Sequence, residues 1–97
     1  MTRVELTADA ERDLIDIYLY SAEQFGPAQA ERYAETLNTG IMFAAEHHTV
    51  GSDYSFIRAN LRRFECVSHA IYYQPVTNGI RVLRILHSRM DPGRHLA

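Results

Sequence analysis

The sequence predicts a single α+β domain in two layers, a helical hairpin packed on a curved, mostly antiparallel sheet. Three observations carry this prediction. Apolar residues recur at helical spacing from Ala10 to Ala44, with Gly26-Pro27 breaking the stretch once and restarting it. From Leu61 onward the pattern changes to that of strands. Thr77-Asn78-Gly79 then marks a tight hairpin, because Asn-Gly supplies the positive φ values such a turn needs. A chain of 97 residues has room for one hydrophobic core, so residues 1–97 form one domain. At this size the core is thin, and stability should lean on a partner or on self-association.

The elements follow in order. Residues 2–6 alternate, with Glu5 between Val4 and Leu6, and form a short strand. Thr7 caps a helix whose first turn holds Asp9 and Glu11, placed to complement the positive end of the helix dipole. Ala10, Leu14, Ile17, Tyr18, Ser21, Ala22 and Phe25 form its core-facing stripe, while Ile15 and Leu19 lie off it. A second helix spans residues 27–46, with Ala30, Tyr33, Ala34, Leu37, Ile41 and Ala44 inward and His48 as a candidate extension. So short a link makes the two helices antiparallel neighbours. Residues 47–59 form an irregular connection containing Gly51 and Asp53. Strands are expected at 61–67, 70–74 and 80–87, with Ser68-His69 linking the first two. Residues 88–97, with Pro92 and Gly93, have the look of a tail.

The net charge of −2 conceals a division. Up to Ile57, three arginines stand against ten acidic side chains; from Arg58 on, seven arginines stand against Glu65 and Asp91. There is no lysine. Arginine offers a planar fork of donors suited to carboxylates and phosphates. The C-terminal half therefore either meets an acidic partner, protein or nucleic acid, or forms a solvated sheet face. No apolar stretch approaches the length needed to cross a bilayer, and the charged start Arg3-Val4-Glu5 is unlike a signal peptide. The lone Cys66 suits a reducing compartment, so the expected location is the cytoplasm.

Side-chain chemistry narrows the function. His47 and His48 diverge by about 100° on a helix, and no further ligand stands at a suitable spacing, so no metal or cofactor is expected. Cys66 lies between Phe64 and Val67 as a buried thiol. The enzymatic candidate is acid-base cleavage of RNA, with Arg58, Arg62, Arg63, Arg81 and Arg84 as cations and His87 as the proton carrier. Strand alternation opposes it. Arg62 and Arg63 fall on opposite faces, as do Arg81 and Arg84. Direct nucleic-acid binding lacks a recognition-helix pattern, and the helices are acidic.

The residues nonetheless resemble a family. Leu6-Thr7-Ala8-Asp9-Ala10-Glu11-Arg12-Asp13-Leu14, Phe25-Gly26 and Ala30-Glu31-Arg32-Tyr33 resemble the helical hairpin of ParE-type toxins. Asn60-Leu61-Arg62-Arg63 and His69-Ala70-Ile71-Tyr72-Tyr73 resemble that family's first two sheet strands. The run from Ile80 to Asp91, Ile-Arg-Val-Leu-Arg-Ile-Leu-His-Ser-Arg-Met-Asp, resembles its last strand and C-terminal tail. The resemblance covers essentially the whole chain. It implies a RelE-like fold and a ParD-like antitoxin that wraps a disordered segment around the toxin. Ile15, Leu19, Arg58, Arg63 and Arg81 are the candidates to receive it.

The superfamily divides by mechanism. RelE-type members cut messenger RNA on the ribosome; ParE-type members poison DNA gyrase through their C-terminal region. Where nucleases often carry an arginine after the position of His69, this chain has Ala70, and where some have a tyrosine after the terminal histidine it has Ser88. The resemblance thus favours a gyrase poison, with Arg89, Met90, Arg94 and His95 as target contacts. Deleting residues 88–97 is expected to abolish toxicity and spare antitoxin binding. The alternative is a messenger nuclease with His87, Arg62 and Arg84 at its centre. A third reading is a degenerate member that binds antitoxin only.

Overall fold

Thr7 joins the two layers. Its hydroxyl oxygen accepts the Ala10 N–H at 3.1 Å, capping the first helix, and its hydroxyl donates to the Leu83 carbonyl at 2.8 Å, tying that helix to the sheet. The computed structural model describes residues 2–96. In order they form β1 (Arg3–Leu6), α1 (Ala8–Phe25), α2 (Pro27–Glu46), β2 (Ser52–Asp53), β3 (Arg62–Cys66), β4 (His69–Val76), β5 (Gly79–His87) and α3 (Gly93–Leu96). The sheet runs β1-β5-β4-β3-β2, with β1 parallel to β5 and every other pair antiparallel. Gly26, at φ 91°, ends α1 and starts α2: its N–H bonds the Ala22 carbonyl at 2.9 Å and its carbonyl accepts the Ala30 N–H at 3.1 Å.

Helices α1 and α2 cover one face of the sheet. Leu37, Ile41 and Ala44 of α2 and Ala10 of α1 meet Ile71, Tyr73, Ile80, Val82 and Ile85 of the sheet. Each large aliphatic side chain buried there stabilises the fold by about 1.5–3 kcal/mol. Tyr73 is wholly buried yet satisfied, since its hydroxyl donates to the His48 carbonyl at 2.9 Å and accepts the Gly51 N–H at 2.9 Å. Beneath the helices, β1 ends at Leu6, which would leave the rest of β5 an open edge. The Thr7 N–H and hydroxyl bond the Val82 and Leu83 carbonyls, and Asp13 accepts the Ile85 N–H at 2.9 Å, closing that edge.

Four features differ from the sequence expectation. The connection after α2 includes β2, two residues that pair with Arg62 and Arg63 and are too short for any periodic pattern to reveal. His48 is exposed and lends only its carbonyl. The β3–β4 turn lies at Val67-Ser68, so His69 belongs to β4. Strict alternation also fails in β5, because Tyr73 pairs with Val82 and Tyr72 with Arg84, leaving Leu83 as an extra residue. Val82 and Ile85 consequently both enter the helix-side core, while Leu83 and Leu86 both enter a second cluster.

That second cluster lies on the sheet face away from the helices. Leu61, Ala70, Tyr72, Leu83, Leu86 and Leu96 form it, with Tyr54 and Ile57 against them. The expected tail is therefore only partly a tail. Asp91 accepts the Gly93 N–H at 2.9 Å, Pro92 starts a turn of helix, and Leu96 is buried to 3 % exposure. Residue 97 lies outside the described residues. No helix among the described residues is long and apolar enough to cross a membrane.

Candidate functional site

The three candidate nuclease residues do not meet. Arg62 donates to the carbonyls of Gly51 at 2.6 Å and Thr49 at 3.3 Å, holding the loop before β2. Arg84 forms a two-pronged pair with Asp13 at 2.8 and 3.0 Å, and those hydrogen bonds push its guanidinium further above its ordinary value. His87 faces His69 across β4 and β5, and His69 in turn pairs with Cys66 at the far end of β3 from Arg62. The separation from Arg62 is about 13 Å along the strands and about 10 Å across them.

The other arginines divide similarly. Arg63 lies on the second face, 5.7 Å from the Tyr54 ring centre and 5.9 Å from that of Tyr72. It bonds the Tyr72 hydroxyl at 3.0 Å and Glu65 at 2.6 Å, and only 16 % of its side chain is exposed. Arg58 is exposed, and Arg81 is half-exposed beside Glu5. Ile15 and Leu19 are each 58 % exposed, one turn apart on the outer face of α1. Arg89, Met90, Arg94 and His95 are exposed around the buried Leu96. Cys66 is buried, which pushes its thiol up, and its sulfur donates to the Thr36 carbonyl at 3.5 Å.

Sequence reasoning missed one cleft. At the Gly26 end of the helical hairpin, Tyr20, Phe25 and Tyr33 face Val67, Ser68, His69 and His87 across a space of about 390 Å³. The Tyr33 hydroxyl lies 2.6 Å from Nδ1 of His69 and accepts the Ser68 N–H at 3.2 Å. The His69 and His87 rings meet edge to face at 5.5 Å. Burial, with His87 adding to it, holds His69 below the usual imidazole value. Tyr33 and His69 are 36 positions apart, and only the fold brings them together. Nothing in the local pattern marks either as more than a core aromatic and a turn residue. No group of three or more metal-ligating side chains is gathered among the described residues.

Comparison with solved structures sets the class first. A chain of the chromosomal ParDE TA system from P. aeruginosa shares this fold, with a TM-score of 0.76 over 90 % of this chain and 96 % of that one at 18 % identity. The family follows from sequence. The model of the family described as ParE toxin of type II toxin-antitoxin system, parDE, matches residues 4–92. Toxin ParE1 of Caulobacter vibrioides is 35 % identical over 99 % of both chains, and Toxin ParE1 of Mycobacterium tuberculosis is 33 % identical over 98 % of both. Toxin ParE of Escherichia coli is 37 % identical over all of this chain and 95 % of its own length. The chain belongs to the ParE toxin family of type II toxin-antitoxin systems.

Proposed function

We propose that this toxin arrests growth in the cytoplasm by binding DNA gyrase and trapping its cleaved-DNA intermediate, and that a ParD-like antitoxin prevents this. One observation supports a binding mechanism over nuclease chemistry. Arg62 and Arg84, the cations an RNA-cleaving centre would need, are each fully engaged by the fold, and they stand apart from His87. By contrast Arg89, Met90, Arg94 and His95 surround an anchored Leu96 and present free side chains on a positioned segment. The antitoxin covers Ile15 and Leu19 on α1, and its acidic residues meet Arg58, the exposed edge of Arg63, and Arg81. The toxin needs no cofactor and does not contact DNA by itself.

The test is gyrase supercoiling and DNA cleavage with purified toxin, with and without antitoxin. Cleaved DNA should accumulate only with free toxin, and the Arg89→Glu, Arg94→Glu double variant should lose the effect. Unimpaired gyrase, together with ribosome-bound messenger cleavage that disappears in His87→Ala, would replace this reading with the nuclease one. No growth arrest on expression would identify a degenerate member.

A further inference from the structure

The cleft at the Gly26 end of the hairpin has two features that the fold does not require. The first is a pair of hydrogen-bond donors. Because the Tyr33 oxygen already accepts the Ser68 N–H, its hydroxyl hydrogen goes to Nδ1 of His69, so the His69 proton resides on Nε2. Nδ1 of His87 accepts the Arg89 N–H at 3.2 Å, which fixes the same tautomer there. Two neutral imidazoles on neighbouring strands thus carry Nε2–H groups with no hydrogen-bond partner among the described residues. Metal binding needs a bare Nε2, and the Arg89 N–H opposes that arrangement at His87.

The second feature is Val67. It sits at φ 57° in the left-handed region, where a β-branched residue is strained, and its side chain is 69 % exposed on the cleft rim. Glycine or asparagine would suit that turn better. Beside it, Phe25 and Tyr20 are 62 % and 64 % exposed. Three large side chains therefore ring two unpaired donors. A strained, exposed valine gains nothing within the toxin alone, and backbone strain of this kind concentrates where a ligand is held.

We propose that this cleft is the anchor pocket for the antitoxin, taking one large apolar side chain of its wrapping segment against Tyr20, Phe25 and Val67 while a backbone carbonyl of that segment accepts from His69 or His87. This rests on the toxin–antitoxin reading given above. A carbonyl suits the site better than a carboxylate, because the donors are neutral and Asp16 lines the same wall beside Tyr20 and His87. Between Ala8 and Glu46 the chain carries eight acidic side chains and two arginines, which also disfavours an acidic occupant on this side. The antitoxin is the occupant because the cleft continues the exposed apolar face of α1: Leu19 adjoins Tyr20, so one segment along the helix covers Ile15, Leu19 and the cleft together.

The test uses the purified toxin with its antitoxin, measuring the dissociation constant of the complex and the melting temperature of each free toxin variant. Val67→Asn should melt a few degrees higher than wild type, through relief of strain, yet bind antitoxin at least about tenfold more weakly. His87→Leu should lose about tenfold, whereas His87→Gln, which places a donor near the same position, should bind close to wild type. Unchanged affinity in both Val67→Asn and His87→Leu would overturn the anchor pocket. If Ile15→Glu with Leu19→Glu still weakened the complex, the antitoxin reading itself would stand. A wild-type toxin that bound no antitoxin would remove that reading instead. Variants that kept antitoxin affinity but lost gyrase inhibition would assign the cleft to the target and equally overturn the proposal.

Discussion

Leu96→Ala should destabilise the toxin by about 2–3 kcal/mol, although the residue lies at the end of the chain. Leu96 is 3 % exposed and packs with Leu61, Tyr72, Leu83 and Leu86 on the sheet face that the helices leave uncovered. A leucine truncated to alanine in a fixed core costs about 2.7–5 kcal/mol. The value should fall near or just below the bottom of that range, because α3 is four residues long and can settle into the space. In a domain of this size the loss lowers the melting temperature by about 10–20 °C. Thermal and urea unfolding of the free toxin would measure it, beside Arg94→Ala, which is exposed and should stay within about 0.5 kcal/mol of wild type. If Leu96→Ala melted with Arg94→Ala, the second cluster would contribute nothing and α3 would be a passenger. The outcome matters for function too. Deleting residues 88–97 would uncover Leu83 and Leu86, so loss of toxicity in that truncation would not isolate the target contacts, whereas exposed point variants do.

Asp13→Ala leaves the Arg84 guanidinium and the Ile85 N–H without acceptors and should cost about 2–3 kcal/mol in urea unfolding, with Asp13→Asn costing less because one oxygen remains. Equal losses in the two would show that the backbone bond to Ile85 is unimportant. Gly79→Ala places a Cβ 1.7 Å from the Arg3 carbonyl oxygen, so β1 must leave β5; the cost should exceed the usual overpacking range of about 1–3 kcal/mol, read as lost soluble yield or a collapsed melting temperature. His69 is held below its ordinary value by burial, so the unfolded chain takes up its proton first as pH falls. Stability should therefore decline from about pH 6.5 down to the lowered folded value, and unfolding of His69→Phe against pH should be flatter across that window. Parallel profiles for the two would refute that assignment.

Periodicity and turn chemistry make the helical side of the fold legible in the sequence. Thr7, Gly26-Pro27 and Asn78-Gly79 each act locally, and their neighbours in sequence are their neighbours in space. The far side of the sheet is not legible, because its cover has no period. Tyr54, Ile57, Leu61 and Leu96 come from a loop, a strand margin and a single helical turn, and converge only once β3, β4 and β5 exist to receive them. The bulge at Leu83 is hidden for a related reason. In a strand buried on both faces, Ile80-Arg81-Val82-Leu83-Arg84-Ile85-Leu86 is apolar enough that one inserted residue leaves no gap in the pattern. That insertion undermines the parity argument for Arg81 and Arg84, and it is Asp13, on a different element, that decides where Arg84 goes.

Arginine content illustrates the same limit at the level of function. The seven arginines from Arg58 on read as one basic surface in the sequence, but three of them are consumed in building the fold: Arg62 on the Gly51 carbonyl, Arg63 between Tyr72 and Glu65, and Arg84 on Asp13. Arg58 and Arg81 remain along the sheet, and Arg89 and Arg94 remain around α3. The free positive charge is therefore about half of what composition suggests, and it is divided between two places. A phosphate-gripping centre needs several cations converging on one point. Two small separated groups, each beside exposed apolar or polar side chains, suit two protein contacts instead. Antitoxin and target can then compete through partial overlap and need not occupy an identical site. On this basis Arg58→Glu with Arg81→Glu should weaken antitoxin binding and spare gyrase inhibition, while Arg89→Glu with Arg94→Glu should do the reverse. Equal loss of both activities in either pair would show that the arginines act as one surface after all.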